Sequence, residues 1–222
     1  MSKQETLNEK LCELILHSAE TGEKLPTEKE LMDYLDISRS ALRDMLNIYE
    51  ASGVIVSRQG SGRYAQMPNI GSQIINIWSM FIHANPSLLL ELLEIRSILE
   101  TYSLPKAINK ITIEDLQMLN YQVSEMKRKV ALGQTFEKND REFHRVLFSS
   151  TENHLLEQLL TAFWDLYDAA KVSSFREDLY LLANQHQDIL DAIMRKDLPL
   201  ATQLMKEQFE DAEYQIIASL MK

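Results

Sequence analysis

The sequence predicts a mainly α protein in two parts, a small N-terminal unit of helices with one hairpin and then an all-α helical bundle. Three observations carry this. Apolar residues recur at helical spacing over most of the chain, and only six Gly and five Pro in 222 residues interrupt it. One strand–turn–strand pattern, rich in glycine, stands between Gly53 and Ala65. The stretch Met67-Pro68-Asn69-Ile70-Gly71 then punctuates the chain, so that domains are expected over 1–67 and 72–222 with a linker over 68–71.

Leu7, Leu11, Leu14 and Ile15 set the opening amphipathic helix over roughly residues 4–19, and Thr21-Gly22-Glu23-Lys24 ends it. Leu25-Pro26-Thr27-Glu28-Lys29-Glu30 starts the next helix. Thr27 is its cap and Glu30 completes a capping box, with Leu31 and Leu35 turned inward. Asp36 falls at the turn, where a left-handed backbone is often required. Ser38 then caps a third helix whose buried stripe is Leu42, Met45, Leu46 and Tyr49. That stripe leaves Arg39, Ser40, Arg43 and Asn47 on the outer face. Gly53 ends this helix, Val54-Ile55-Val56 reads as a strand, and Arg58-Gln59-Gly60-Ser61-Gly62-Arg63 is a glycine-bearing turn leading to a return strand at Tyr64-Ala65.

This order is a winged helix-turn-helix. Arginines at the start of its third helix are placed to meet base edges or phosphates, and glycines in the wing let backbone approach a sugar-phosphate chain between Arg58 and Arg63. Taken singly, Arg39 and Arg43 also read as ordinary solvated positions. The full series of cap, turn, basic face and basic wing favours double-stranded DNA as the partner.

The formal charge of −10 is unevenly distributed. Residues 1–36 carry four Lys against nine acids, whereas residues 37–67 carry four Arg against Asp44 and Glu50, a local +2. Positive charge therefore gathers where a DNA-reading helix and wing would lie, and binding should be local and salt-dependent. The lone Cys12 excludes a disulfide framework and a Cys-based zinc site, and its spacing favours a buried structural thiol over a reactive one. A polar N-terminus and the lack of any apolar run of about 18 residues predict neither signal peptide nor membrane span, hence a cytoplasmic protein.

In the second domain helices are expected over Ser72–Ala84, Ser87–Asn109 (with a kink or break at Pro105), from Thr112 or Ile113 to Val130, and over Phe136–Ser150, Leu155–Lys171, Ser174–Met194 and Leu198–Met221. Seven or so such helices with short links make an antiparallel bundle. Asp140 and His144 lie one turn apart on one helix, His186 on a later helix and Gln208 on the last. Asp and His at that spacing with a second His suit a Zn²⁺- or Ni²⁺-type ion or an acidic ligand, though each His alone also reads as a packing residue. His17, His83 and His154 join no such group and read as surface or packing residues.

Leu25-Pro26-Thr27-Glu28, Leu31, Leu35, Ile37-Ser38-Arg39, Leu42-Arg43, Leu46, Gly53 and Arg58-Gln59-Gly60-Ser61-Gly62 together resemble the GntR family of bacterial transcription regulators. The resemblance implies that Lys29, Ser38, Arg39, Arg43 and the wing around Gly60 contact DNA. Asp36 stands where the family more usually has Gly, which bears on the turn's stability. Farther on, Arg96-x-x-Leu99-Glu100, Asp140-Arg-Glu-Phe-His144, Asn153 with Leu155, His186-x-x-Ile189-x-x-Ala192-Ile193-x-x-x-Asp197 and Ala201-x-x-x-Met205 resemble the all-helical ligand domain of the FadR-type branch. That resemblance implies a divalent metal held by Asp and three His beside a carboxylate effector. The third His is replaced here by Gln208, whose neutral amide oxygen is a poor ligand for a transition metal. Two readings stand: a metal on Asp140, His144 and His186, or a metal-free polar pocket in which these groups, Gln208 and Arg96 take an anionic effector. Arg96 has a further reading as the i+4 salt-bridge partner of Glu100.

The leading function is a ligand-responsive transcription regulator that binds a palindromic operator as a homodimer, because paired helix-turn-helix units read paired half-sites. The alternatives are a metal-dependent enzyme built on Asp140, His144 and His186, and a helical adaptor whose winged domain binds protein. No motif places a further acid or nucleophile beside the Asp and His residues, so a non-enzyme is expected.

Overall fold

The computed structural model describes residues 3–170 and 178–221. They form two compact units, Met1–Asn69 and Ile70–Lys222. The first contains α1 (Lys3–Thr21), α2 (Glu28–Leu35), α3 (Arg39–Ala51) and a hairpin of β1 (Ile55–Arg58) with β2 (Gly62–Ala65). Thr27 and Glu30 make the capping box: the Thr27 side chain accepts from the Glu30 N–H, and Glu30 Oε2 accepts from the Thr27 N–H at 2.7 Å. Asp36 adopts the left-handed conformation at φ 53° and ψ 53°, which lets the chain turn between α2 and α3. Ser38 accepts from the Ala41 N–H at 3.3 Å and caps α3.

Leu11, Ile15, Leu31, Leu35, Leu42 and Leu46 meet in the core of this unit, so the helical spacings in the sequence all point one way. Cys12 is half-buried with its Sγ 3.2 Å from the Tyr49 hydroxyl. That contact, with burial, pushes the Tyr49 phenol up to about 12. The hairpin starts one residue later than expected and pairs antiparallel from Ile55 with Ala65 to Arg58 with Gly62. Its turn is closed by Ser61 N–H donating to the Arg58 carbonyl at 3.0 Å, with Gly60 at φ 73°.

The second unit is all helix: α4 (Ile70–Ala84), α5 (Leu88–Lys110), α6 (Ile113–Ala131), α7 (Glu137–Ser149), α8 (His154–Ala169), α9 (Leu179–Met194) and α10 (Leu198–Leu220). The chain thus has the fold class read from its sequence. Three expectations need correction or bounding. The linker over 68–71 is shorter, because Ile70 and Gly71 already belong to α4 and the Gln158 side chain on α8 accepts the Ile70 N–H at 3.0 Å. Pro105 does not break α5, which runs through it. A mid-helix proline costs about 3 kcal/mol in propensity, and the completely or almost completely buried Leu104, Ala107 and Ile108 hold the segment in place against that cost. The expected helix end at Lys171 and helix start at Ser174 lie outside the described residues.

Candidate functional site

In the first unit, Lys29 on α2 and Arg39, Ser40 and Arg43 on α3 are exposed, as is the capping Ser38. Arg58 and Gly60 are exposed in the wing, with the Arg58 guanidinium 4.3 Å from the centre of the Tyr64 ring. Stacking of this kind leaves the cation free to meet an anion on its outer side. Arg63, also expected to face DNA, is paired within the unit. Its Nε donates to Glu50 Oε1 at 2.6 Å and its Nη2 to Glu28 Oε1 at 3.2 Å, so its charge is taken up inside the unit. Glu50 first, and Glu28 with it, hold the Arg63 guanidinium above its ordinary value despite partial burial.

In the second unit, α7 brings Asp140 and His144 to the side of α9 that carries His186. One ligand atom from each lies within 4.8 Å of the others. His144 and His186 are buried, and Asp140 is a quarter exposed. The His186 Nδ1–H donates to the Leu182 carbonyl one turn back at 2.8 Å, which leaves Nε2 to face Asp140 Oδ1 at 2.9 Å. The Gln208 side-chain nitrogen, from α10, is 3.2 Å from both ring nitrogens of His186. Phe143 stands edge-on to His186 with ring centres 4.9 Å apart and closes one side.

Behind His144 lies Glu100 on α5, completely buried. Its Oε2 is 2.8 Å from His144 Nδ1 but poorly aligned, so neither atom has a well-formed hydrogen bond. Its Oε1 accepts from Arg96 Nε and Nη2 and from Trp164 Nε1 at 3.1, 3.0 and 3.3 Å. Burial alone would raise the Glu100 carboxyl, but Arg96 and His144 together hold it below the usual carboxylate range. Arg96 is thus paired with Glu100 one turn on.

The donor set fits a divalent ion. One carboxylate and two imidazoles are ligands for zinc-type metals, and tetrahedral bonds of about 2.0–2.2 Å put two ligand atoms about 3.3–3.6 Å apart. The ligand atoms of the three residues, all within 4.8 Å of one another, would draw together around such an ion. His186 carries a supporting acceptor on its far nitrogen, the Leu182 carbonyl, the arrangement that orients metal-binding imidazoles, and the Glu100 carboxylate stands 2.8 Å from His144 Nδ1. Asp140, His144 and His186 would hold such an ion, which would supply a positive centre for an anionic ligand.

Residues 3–64 match the family described as "Bacterial regulatory proteins, gntR family", and residues 91–211 match the FCD domain. The chain belongs to the GntR family. A GntR protein with an FCD-type helical domain is a DNA-binding regulator answering to a small molecule, consistent with the FadR-type branch, and not an enzyme. The chain is 31% identical to the Bacillus subtilis (strain 168) HTH-type transcriptional regulator YcbG, over 87% of this chain and 83% of that one. It is 26% identical to the Uxu operon transcriptional regulator of Escherichia coli (strain K12), over 88% and 79%. Among solved structures, Streptococcus agalactiae GntR superposes with a TM-score of 0.67 at 25% identity, covering 95% of this chain and 98% of that one. Among the described residues of this GntR chain, no helix is long and apolar enough to cross a membrane.

Sequence reasoning missed how Glu100 enters the site. It was legible as the i+4 partner of Arg96, whereas its approach to His144 joins helices 44 residues apart in the chain. Trp164 and the Leu182 carbonyl were likewise invisible, since neither spacing nor composition marks a group that acts by supporting another.

Proposed function

We propose that this GntR protein binds a palindromic operator as a homodimer and is controlled by a carboxylate effector taken up in the helical domain. At the DNA, Arg39 and Arg43 read base edges, while Lys29, Ser38, Ser40, Arg58 and Gly60 meet the backbone. The observation that carries this is the exposed Arg39/Arg43 face at the start of a helix whose opposite stripe buries Leu42, Met45 and Leu46. Homodimerisation is supported by α4, which has no Asp, Glu, Lys or Arg and exposes Ile77, Trp78, Met80 and Phe81.

In the helical domain the effector's carboxylate meets the group of Asp140, His144, His186 and Gln208, with a bound divalent ion as its counter-charge. Arg96 acts there through Glu100, because its own charge is already paired. Ligand binding alters DNA affinity only as far as it favours one arrangement of the paired DNA heads over another.

The test uses the duplex that the wild-type protein enriches from a random-sequence pool. Arg39→Ala and Arg43→Ala should each weaken binding to it by about 1–3 kcal/mol and relax sequence preference. Unchanged affinity in the double variant would remove the DNA-reading role from this face.

A further inference from the structure

Arg63 joins three elements. It stands on β2, its Nε reaches Glu50 near the end of α3, and its Nη2 reaches Glu28 at the start of α2. The same Glu28 carboxylate turns its other oxygen towards Arg43, with Oε2 3.8 Å from Arg43 Nη2. Glu28 thus lies between the wing arginine and one of the two arginines on the outer face of α3. The Arg63 side chain is 27% exposed and the Arg43 side chain 59% exposed. Backbone bonds hold the same strand, for Leu25 N–H donates to the Arg63 carbonyl at 2.8 Å and Ala65 N–H to Ser18 Oγ at 3.0 Å.

We propose that Arg63 is a positioning residue: through Glu50 and Glu28 it fixes the wing against α2 and α3, and through the shared Glu28 it sets where the Arg43 guanidinium points. The inference rests on the reading of Arg39 and Arg43 as DNA contacts.

Electrostatics favours this role over a direct phosphate contact. An arginine that left Glu28 and Glu50 for one phosphate would strip Glu50 of this partner and leave Glu28 with only the more distant Arg43, beside a polyanion. The guanidinium fork also suits the geometry, because donors on two different nitrogens meet acceptors on two different helices. A lone exposed ion pair contributes little, but three partly buried charges sharing one network restrict one another's side chains. Arg43, the exposed end of the chain of charges, keeps its outward donors for DNA while Glu28 limits its rotamers.

Two substitutions give opposite signs under the two roles. Glu50→Ala removes an acid and releases Arg63 Nε, with Nη2 still on Glu28. If Arg63 positions the wing, binding to the enriched duplex weakens about threefold to tenfold; if it contacts phosphate, binding tightens. Arg63→Lys keeps the charge but loses the fork. The positioning role gives a comparable loss on the enriched duplex, with less than about a twofold change on a random-sequence duplex and an unchanged dependence on salt. Enrichment repeated with Arg63→Lys should relax preference at the positions that Arg43→Ala relaxes. Tighter or unchanged binding by Glu50→Ala, or wild-type affinity and preference in Arg63→Lys, overturns the proposal. Thermal unfolding of each full-length variant checks the fold, and Arg63→Lys decides if Glu50→Ala is unfolded. Arg39→Ala is run beside them: if it leaves binding unchanged, the reading of α3 fails independently of what Arg63 does.

Discussion

Arg96 and Glu100 form an ion pair one helical turn apart inside the bundle, with the Arg96 side chain 8% exposed and the Glu100 side chain 0% exposed. The pair is held on all sides: Arg96 lies 5.0 Å from the Tyr167 ring centre and 5.5 Å from that of Phe209, and Trp164 donates to Glu100. A charge so buried is tolerable only while its partner is present. Arg96→Met or Glu100→Leu should therefore each destabilise the helical domain by about 3–5 kcal/mol. The double variant should recover much of that loss, since it removes both charges together. Urea unfolding followed by tryptophan fluorescence measures this in the right unit, because both tryptophans, Trp78 and Trp164, lie within it. Additive losses in the double variant would show that packing dominates over charge.

The metal prediction turns on Gln208. Its amide reaches His186, so the side chain stands where a further ligand is wanted, but it offers a neutral oxygen or nitrogen in place of an imidazole. Protein purified without a metal-affinity tag should carry less than one equivalent of zinc or nickel by elemental analysis. Gln208→His should bring it to one, with affinity raised by at least about tenfold, and His144→Ala should abolish binding in both backgrounds. One full equivalent in the wild-type protein would show that three ligands and water suffice.

Much of the N-terminal unit was legible because its determinants are local. Thr27 with Glu30, Asp36 at the turn, Ser38 and the Leu42–Met45–Leu46 stripe all act within a few residues of themselves. The pairing of Arg63 was not legible because its partners are 13 and 35 residues away, and a basic residue in a wing carries no mark of which way it turns. The same limit hid the link from Glu100 to His144. Pro105 shows the opposite conflict, where a strong local signal yields to the burial of its neighbours. The group of Asp140, His144 and His186 was legible chiefly through resemblance, since its spacing alone suits ordinary packing as well.

The charge-free helix α4 gives the last prediction. A charge-free helix with so broad an apolar face is stable in water only when that face is covered, yet Ile77, Trp78, Met80 and Phe81 are each 47–64% exposed. Beside Trp78 lies a cavity of about 240 Å³ lined by Ile74, Ile82, Leu92, Ile95 and Phe163 among others. A ridge on α4 beside a socket lined by α4, α5 and α8 satisfies the requirement of a two-fold interface, in which the same patch meets itself. Monomers rarely expose apolar patches beyond roughly 300–600 Å². Sedimentation should therefore find the wild-type protein dimeric, and Trp78→Glu or Phe81→Glu monomeric with its helical content intact. A buried carboxylate on each side of the axis would face its own copy, so repulsion and desolvation act together. The monomer should also lose affinity for a two-half-site duplex while keeping its weak affinity for a single half-site, because the recognition face is untouched. A monomeric wild type, or a dimer that survives both substitutions, would place the interface elsewhere.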